Sequence, residues 1–204
     1  MHQPEPILHP VRLTDLRPTQ MTVGLREVAR KRRQWRDRVL RDGPEFLGQH
    51  MIPAVRGPGG RLWMIDAHHL ARALYDEGVE AVLVRIVADL DGLPGRLFRT
   101  YMDNRGWLHP FDAAGRRRPH KAIPKTIGDL TDDPYRSLAG ELRRAGGYAK
   151  DSTPYAEFLW ADYLRRHVGA HLIADDFEQA VQQALTLANA DGASYLPGWA
   201  GVHD

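Results

Sequence analysis

The sequence predicts an α+β fold, a small mixed sheet in the N-terminal half extended by a helical C-terminal half. Two observations carry that prediction. First, two short apolar runs flank Gly57-Pro58-Gly59-Gly60 and lead into a helical pattern and then a third apolar run, giving the order hairpin, helix, strand. Second, beyond about residue 130 the apolar residues recur at helical spacing. A length of 204 residues suits one substantial domain, or a small domain with a helical appendage. The expected division is an α/β domain over 8–105 and a helical extension over 106–204.

Each element has its own warrant. Ile7 to Arg17 alternates modestly through Val11, Leu13 and Leu16 before Pro18, which predicts one short strand and a loop tipped by Pro18-Thr19-Gln20. Leu25 to Arg41 reads as a helix with Val28, Trp35 and Val39 on one stripe. Ile52–Arg56 and Leu62–Ile65 are the hairpin strands, because the glycines between them supply positive φ without steric cost. Ala67 to Glu77 is the following helix, stopped by Gly78, and Ala81 to Val87 is the next strand. Pro94 to Asn104 predicts a helix packed through Leu97, Tyr101 and Phe98. Residues 106–125, rich in Gly and Pro and holding Arg116-Arg117-Arg118, read as a long connection. Asp133-Pro134 and Thr153-Pro154 are helix starts, the second helix packing through Phe158, Leu159, Tyr163 and Leu164. A third helix runs from about Asp176 to Asn189 on a stripe of Phe177, Ala180, Val181, Ala184, Leu185 and Ala188.

Composition narrows the chemistry. The chain holds no cysteine, which removes disulfides, thiolate metal sites and cysteine nucleophiles. No apolar stretch approaches the length of a membrane span, and the first ten residues lack a signal-peptide layout, so a soluble, cytoplasmic protein is expected. Net charge is only +2, and four of the 28 basic residues are lysine, so overall charge says little about partners.

The sharpest local feature is Asp66-Ala67-His68-His69-Leu70-Ala71-Arg72, a strand end turning directly into a helix with two imidazoles in its first turn. Unpaired amides and the positive dipole end make such a start a natural phosphate site, to which His68, His69 and Arg72 could add donors. The competing reading has Asp66 capping the helix and both histidines facing solvent. Adjacent histidines diverge on a helix, so this pair alone makes no zinc site. Phosphoryl transfer or phosphodiester hydrolysis usually needs Mg²⁺ held by a carboxylate, for which Asp66 is the candidate, and His68 or His69 could move a proton. Arg136 and Lys150, the latter in the loop Gly146-Gly147-Tyr148-Ala149-Lys150, are conceivable second phosphate contacts or solvated side chains. Asp162 is expected to pair with Arg166 at i, i+4 rather than to act as a site acid.

These residues resemble the ParB/sulfiredoxin superfamily. The likeness runs from Leu13-Thr14-Asp15-Leu16-Arg17-Pro18-Thr19-Gln20, the family's opening strand and loop, through Met51–Arg56 and Trp63–Leu74 to Val82–Ile86. Asp133-Pro134-Tyr135-Arg136-Ser137-Leu138 and Glu157–Asp162 are similar to the helical extension of its putative ParB-like nuclease branch. The resemblance implies a pocket for nucleotide phosphates at the His68-His69 helix start, for which Ala67, Thr19 and Gln20 are further candidate contacts; the expected cofactors are Mg²⁺ and ATP or another nucleotide. Members include nucleotide-dependent DNA clamps, cysteine sulfinic acid reductases, a free serine kinase and proteins described as nucleases. This chain lacks the reductases' cysteine and the clamps' Gly-Glu-Arg-Arg box. Gln20 stands where the kinase has its glutamate base, and Ala67 and Leu70 replace the usual Gly and Arg.

A second hypothesis uses the basic helix. Between Arg26 and Arg41 eight positive side chains, among them Arg30, Arg32, Arg33 and Arg36, surround Trp35 and could lie along a nucleic-acid backbone. The expected partners are therefore a nucleotide or phosphorylated small molecule and, by this route, DNA, with no membrane.

Overall fold

In the computed structural model, which describes residues 7–42 and 51–201, the strand order places the predicted hairpin at the middle of a five-stranded mixed sheet. Its strands are β1 (Ile7–Arg12), β2 (Leu16–Arg17), β4 (Ile52–Gly57), β5 (Arg61–Met64) and β6 (Ala81–Asp89), ordered β1-β6-β4-β5-β2. Antiparallel pairs β1·β6 and β4·β5 alternate with parallel pairs β4·β6 and β2·β5. The single opening strand expected over Ile7–Arg17 is broken in two by a 3₁₀ turn at Leu13–Asp15. That turn carries the chain from one edge of the sheet to the other, a step that alternation within the segment does not encode.

Period-two alternation divides the sheet's side chains between two cores. Ile52, Ala54, Met64, Val82, Val84 and Ile86 share one with Ala71 and Leu74 of α2 (His68–Asp76) and Val28 of α1 (Leu25–Asp42). Val55 and the half-buried Trp63 and Val87 take the other side, with Phe98 and Met102 of α3 (Gly95–Asn104) and with Leu108 and Ile123 from the connection. Helix α3 is turned by one residue from its predicted face. Leu97 is 52% exposed and Tyr101 is also exposed, while Phe98 and Met102 are buried. Both candidate stripes carry apolar residues, and only the sheet decides between them. Residues 106–131 group by contact with the sheet, so the first unit closes at Thr131, whose amide bonds to the Met21 carbonyl (3.1 Å) beside the short pair β3 (Thr22–Val23) and β7 (Thr131–Asp132).

The second unit comprises the described residues 132–201 with Gly24–Glu27. Helices α4 (Pro134–Arg144), α5 (Ala156–His167), α6 (Ala170–Asp175) and α7 (Phe177–Ala188) bury Leu138, Leu142, Trp160, Leu164, Ala180 and Ala184. Tyr148 stacks on Trp160 at 4.4 Å. Asp133 accepts the amide of Tyr135, as its place before Pro134 predicts, and Asp176 likewise accepts the amide of Gln179. Three expectations change. Helix α5 starts after Tyr155, at φ +61°, rather than at Thr153-Pro154. Leu159 is exposed while Trp160 is buried, and the short α6 was not foreseen. Gly24 is required by close approach, since a Cβ there would lie 2.6 Å from the Ser137 amide nitrogen.

Candidate functional site

The turn between β5 and α2 is built by local backbone geometry. Ala67 sits in the left-handed region at φ +64°, ψ 25°, a conformation that costs an alanine about 1 kcal/mol and that glycine adopts freely. It swings the chain from the end of β5 into α2, whose ladder begins with the Ala71 amide bonding the Ala67 carbonyl (2.9 Å). The amides of residues 68–70 lie ahead of that ladder, where a helix has no acceptor of its own to offer. The Asp66 carboxylate is exposed and accepts the Ala67 amide (2.6 Å). Asp66 therefore braces the strained residue; the side-chain cap expected of it on the helix itself is not made.

Neither histidine faces bulk water: His68 is 5% exposed and His69 9%. The His68 Nε2 accepts the backbone amide of Thr19 (3.1 Å), which puts that ring's proton on Nδ1. The Thr19 hydroxyl donates to the Met64 carbonyl (2.7 Å). The loop after β2 is thus tied to both the end of β5 and the start of α2. Gln20 is buried, its amide nitrogen donating to the Thr22 carbonyl (2.8 Å), and its backbone bridges to His109. Thr19, Gln20, Asp66, Ala67, His68 and His69 all lie in the first unit.

Arg72 is committed elsewhere. Its guanidinium bonds Asp76 (2.9 Å) and the Leu130 carbonyl (2.6 Å), so it fastens the segment ahead of β7 to α2 instead of reaching back to the turn. Arg136 and Lys150 belong to the second unit. Arg136 is buried with its guanidinium 3.6 Å over the Phe158 ring and 4.0 Å from Glu157, and burial pulls its pKa below the usual arginine value. Nearby, Asp133 bonds Arg165 at 2.6 Å, yet burial outweighs that charge and pushes its carboxyl upward. Lys150 is exposed. Asp162 pairs with Arg165, one position short of the expected Arg166, which bonds the Tyr195 hydroxyl (3.1 Å) instead.

Of the basic helix, Arg32 and Arg36 both bond the Glu77 carboxylate (2.6 Å each). The hydrogen bond from Arg36 does most to lower the Glu77 pKa from 4.5 to about 2, against a burial contribution of opposite sign. Glu77 ends α2, where a carboxylate opposes the helix dipole, and the two arginines offset that. Arg33 is exposed. No sequence spacing foretold this clamp or the His68–Thr19 bond, whose partners stand 45 and 49 positions apart.

A family model described as Putative ParB-like nuclease matches residues 9–166, more than three quarters of the chain. The crystal structure of protein Atu1540 from Agrobacterium tumefaciens is 49% identical in sequence and has a TM-score of 0.91, covering 98% of this chain and 100% of that one. No curated protein matches. Among the described residues no helix is long and apolar enough to cross a membrane.

Proposed function

The chain belongs to the putative ParB-like nuclease family, and from that premise we propose that it binds a nucleotide or other phosphate ester at the Asp66–His69 turn and hydrolyses a phosphodiester there. The observation that carries the reading is Ala67. A non-glycine residue kept left-handed, between a bracing carboxylate and a histidine that ties down a second loop, is strain of the kind stored at functional turns. A turn that opens a helix also sets the positive end of its dipole beside an incoming phosphate.

The roles divide by geometry. His68 has its Nε2 committed to Thr19, so it is a positioning residue that fixes the loop carrying Thr19 and Gln20. Asp66 is the exposed carboxylate of the turn. Among the described residues no three His, Asp or Glu side chains gather to enclose a metal ion. One carboxylate suits a Mg²⁺ that keeps its waters and arrives with the substrate's phosphates, and Asp66 would hold it. When bound, that ion would neutralise phosphate charge. Hydrolysis adds water across one P–O bond, leaving a phosphate monoester and an alcohol; transfer of a phosphoryl group to another hydroxyl would use the same contacts.

The test is hydrolysis of bis(p-nitrophenyl) phosphate and of single-stranded DNA with Mg²⁺. Asp66→Asn is expected to lower the rate about 100-fold, the scale of losing one charge-stabilising group, while His68→Gln retains most of it. Full activity in Asp66→Asn, or no hydrolysis by the unaltered protein, refutes the proposal. Binding of DNA through the basic helix is the second reading, supported by the exposed Arg33 and weakened because Glu77 already holds Arg32 and Arg36. It predicts gel shifts abolished by neutralising Arg30, Arg32, Arg33 and Arg36 together.

A further inference from the structure

Successive residues of β5 point to opposite sides of the sheet, so Trp63 faces away from Met64 and from the core beneath α2. On the Trp63 side lies a cavity of about 320 Å³, in the range of sites that take small organic ligands. Trp63, Phe98, Leu108 and Ile123 form its apolar floor. The indole and the Phe98 ring meet at 5.4 Å and 53°, and Gly57 leaves the room that seats them, since a Cβ there would come within 2.9 Å of both.

The rim has the opposite character. Arg61, Arg99, Lys121 and Lys125 line the cavity, all exposed, and none has an ion-pair partner among the described residues. Among the described residues no carboxylate lines it. Asp103, which contacts the lining His120 at 3.1 Å, is already paired with Arg117. With Arg17, whose guanidinium donates to the Lys125 carbonyl (2.8 Å), five cations line the cavity around an aromatic floor, and they repel one another until an anion joins them. The Trp63 Nε1–H is buried without an acceptor, a cost that a phenyl ring would avoid. What the indole adds in return is a broad π-face for stacking.

We infer that this cavity is a second binding site, taking a nucleoside monophosphate with its base against the half-buried Trp63 and its phosphate among Arg61, Arg99, Lys121 and Lys125. Single-strand binders instead track several nucleotides along a groove; a half-open bowl of about 320 Å³ accommodates one unit. The site lies on the face of the sheet opposite the core beneath α2 and includes none of the residues 66–69.

Calorimetric titration of the full chain with AMP tests it. Saturable binding is expected, and Arg61→Ala/Arg99→Ala, which alters two exposed side chains, weakens it by about tenfold or more while the melting temperature stays unchanged. Adenosine and inorganic phosphate each bind at least about tenfold more weakly than AMP, because stacking and charge act together. Trp63→Phe keeps an aromatic floor and loses part of the affinity. Asp66→Asn leaves this binding intact. The inference is overturned by an absence of saturation at millimolar AMP, by undiminished binding in the double variant, or by phosphate binding as tightly as AMP. It is equally overturned if an oligothymidylate binds and AMP does not compete. Loss of AMP binding in Asp66→Asn with retention in the arginine variant would place the ligand at the other turn, sinking this inference and leaving the Proposed function standing.

Discussion

Replacing His68 with alanine tests how the Thr19 loop is held. Thr19 is 2% exposed and its amide has Nε2 of His68 as acceptor at 3.1 Å, so the substitution leaves a buried N–H unpaired, at about 1–3 kcal/mol. Removing a nearly buried imidazole also leaves a void, worth about 1 kcal/mol more after partial collapse. The sum is about 2–4 kcal/mol, less whatever the surviving Thr19 hydroxyl bond to Met64 retains. For a chain of this size that is a fall in melting temperature of roughly 4–16 °C. Glutamine reaches about as far as Nε2 and offers an oxygen acceptor, so His68→Gln should recover about half of the loss. Native-state hydrogen exchange localises the effect, because the Thr19 amide should exchange at least about tenfold faster in the alanine variant than in the parent. An alanine variant within about 0.5 kcal/mol of the parent, with Thr19 exchange unchanged, would refute the latch; so would a glutamine variant no better than alanine.

Two further outcomes follow from the same unit. The Glu77 pKa is lowered from 4.5 to about 2, so its stabilisation is complete above pH 4.5 and is lost as the pH falls from there towards about 2. Solvent screening of the exposed Arg36 holds the contribution to about 1 kcal/mol, and melts of the parent and Glu77→Gln should differ at pH 7 and converge only as the pH falls through about 2; a constant difference across that window argues against the clamp. Ala67→Gly relieves a left-handed alanine while gaining freedom in the unfolded chain, for a net stabilisation of up to about 1 kcal/mol by urea titration. A loss of more than that would show the alanine methyl to be packed rather than strained.

Much of the fold is legible in the residues themselves. Gly57–Gly60 between apolar runs specifies the hairpin, Asp133-Pro134 specifies the start of α4, and the Phe177–Ala188 stripe specifies α7, because turn chemistry, capping and periodicity act over four to eleven positions. The turn at Asp66–His69 is conspicuous for the same reason. Local pattern could not choose Phe98 over Leu97, since the sheet supplies the partner, nor pair Asp162 with Arg165.

What the tertiary structure alone decided is how the polar side chains are spent. His68 turns inward to Thr19, Arg72 to Asp76 and Leu130, and Arg32 with Arg36 to Glu77, each across a separation set by chain topology except the Arg72–Asp76 pair. Likewise Arg61, Trp63, Arg99, Lys121 and Lys125 are unremarkable where they stand in the chain and converge only when β5, α3 and the long connection fold together. A buried polar group must find its partner wherever the fold brings one near, and an exposed cation needs none; sequence spacing records neither outcome.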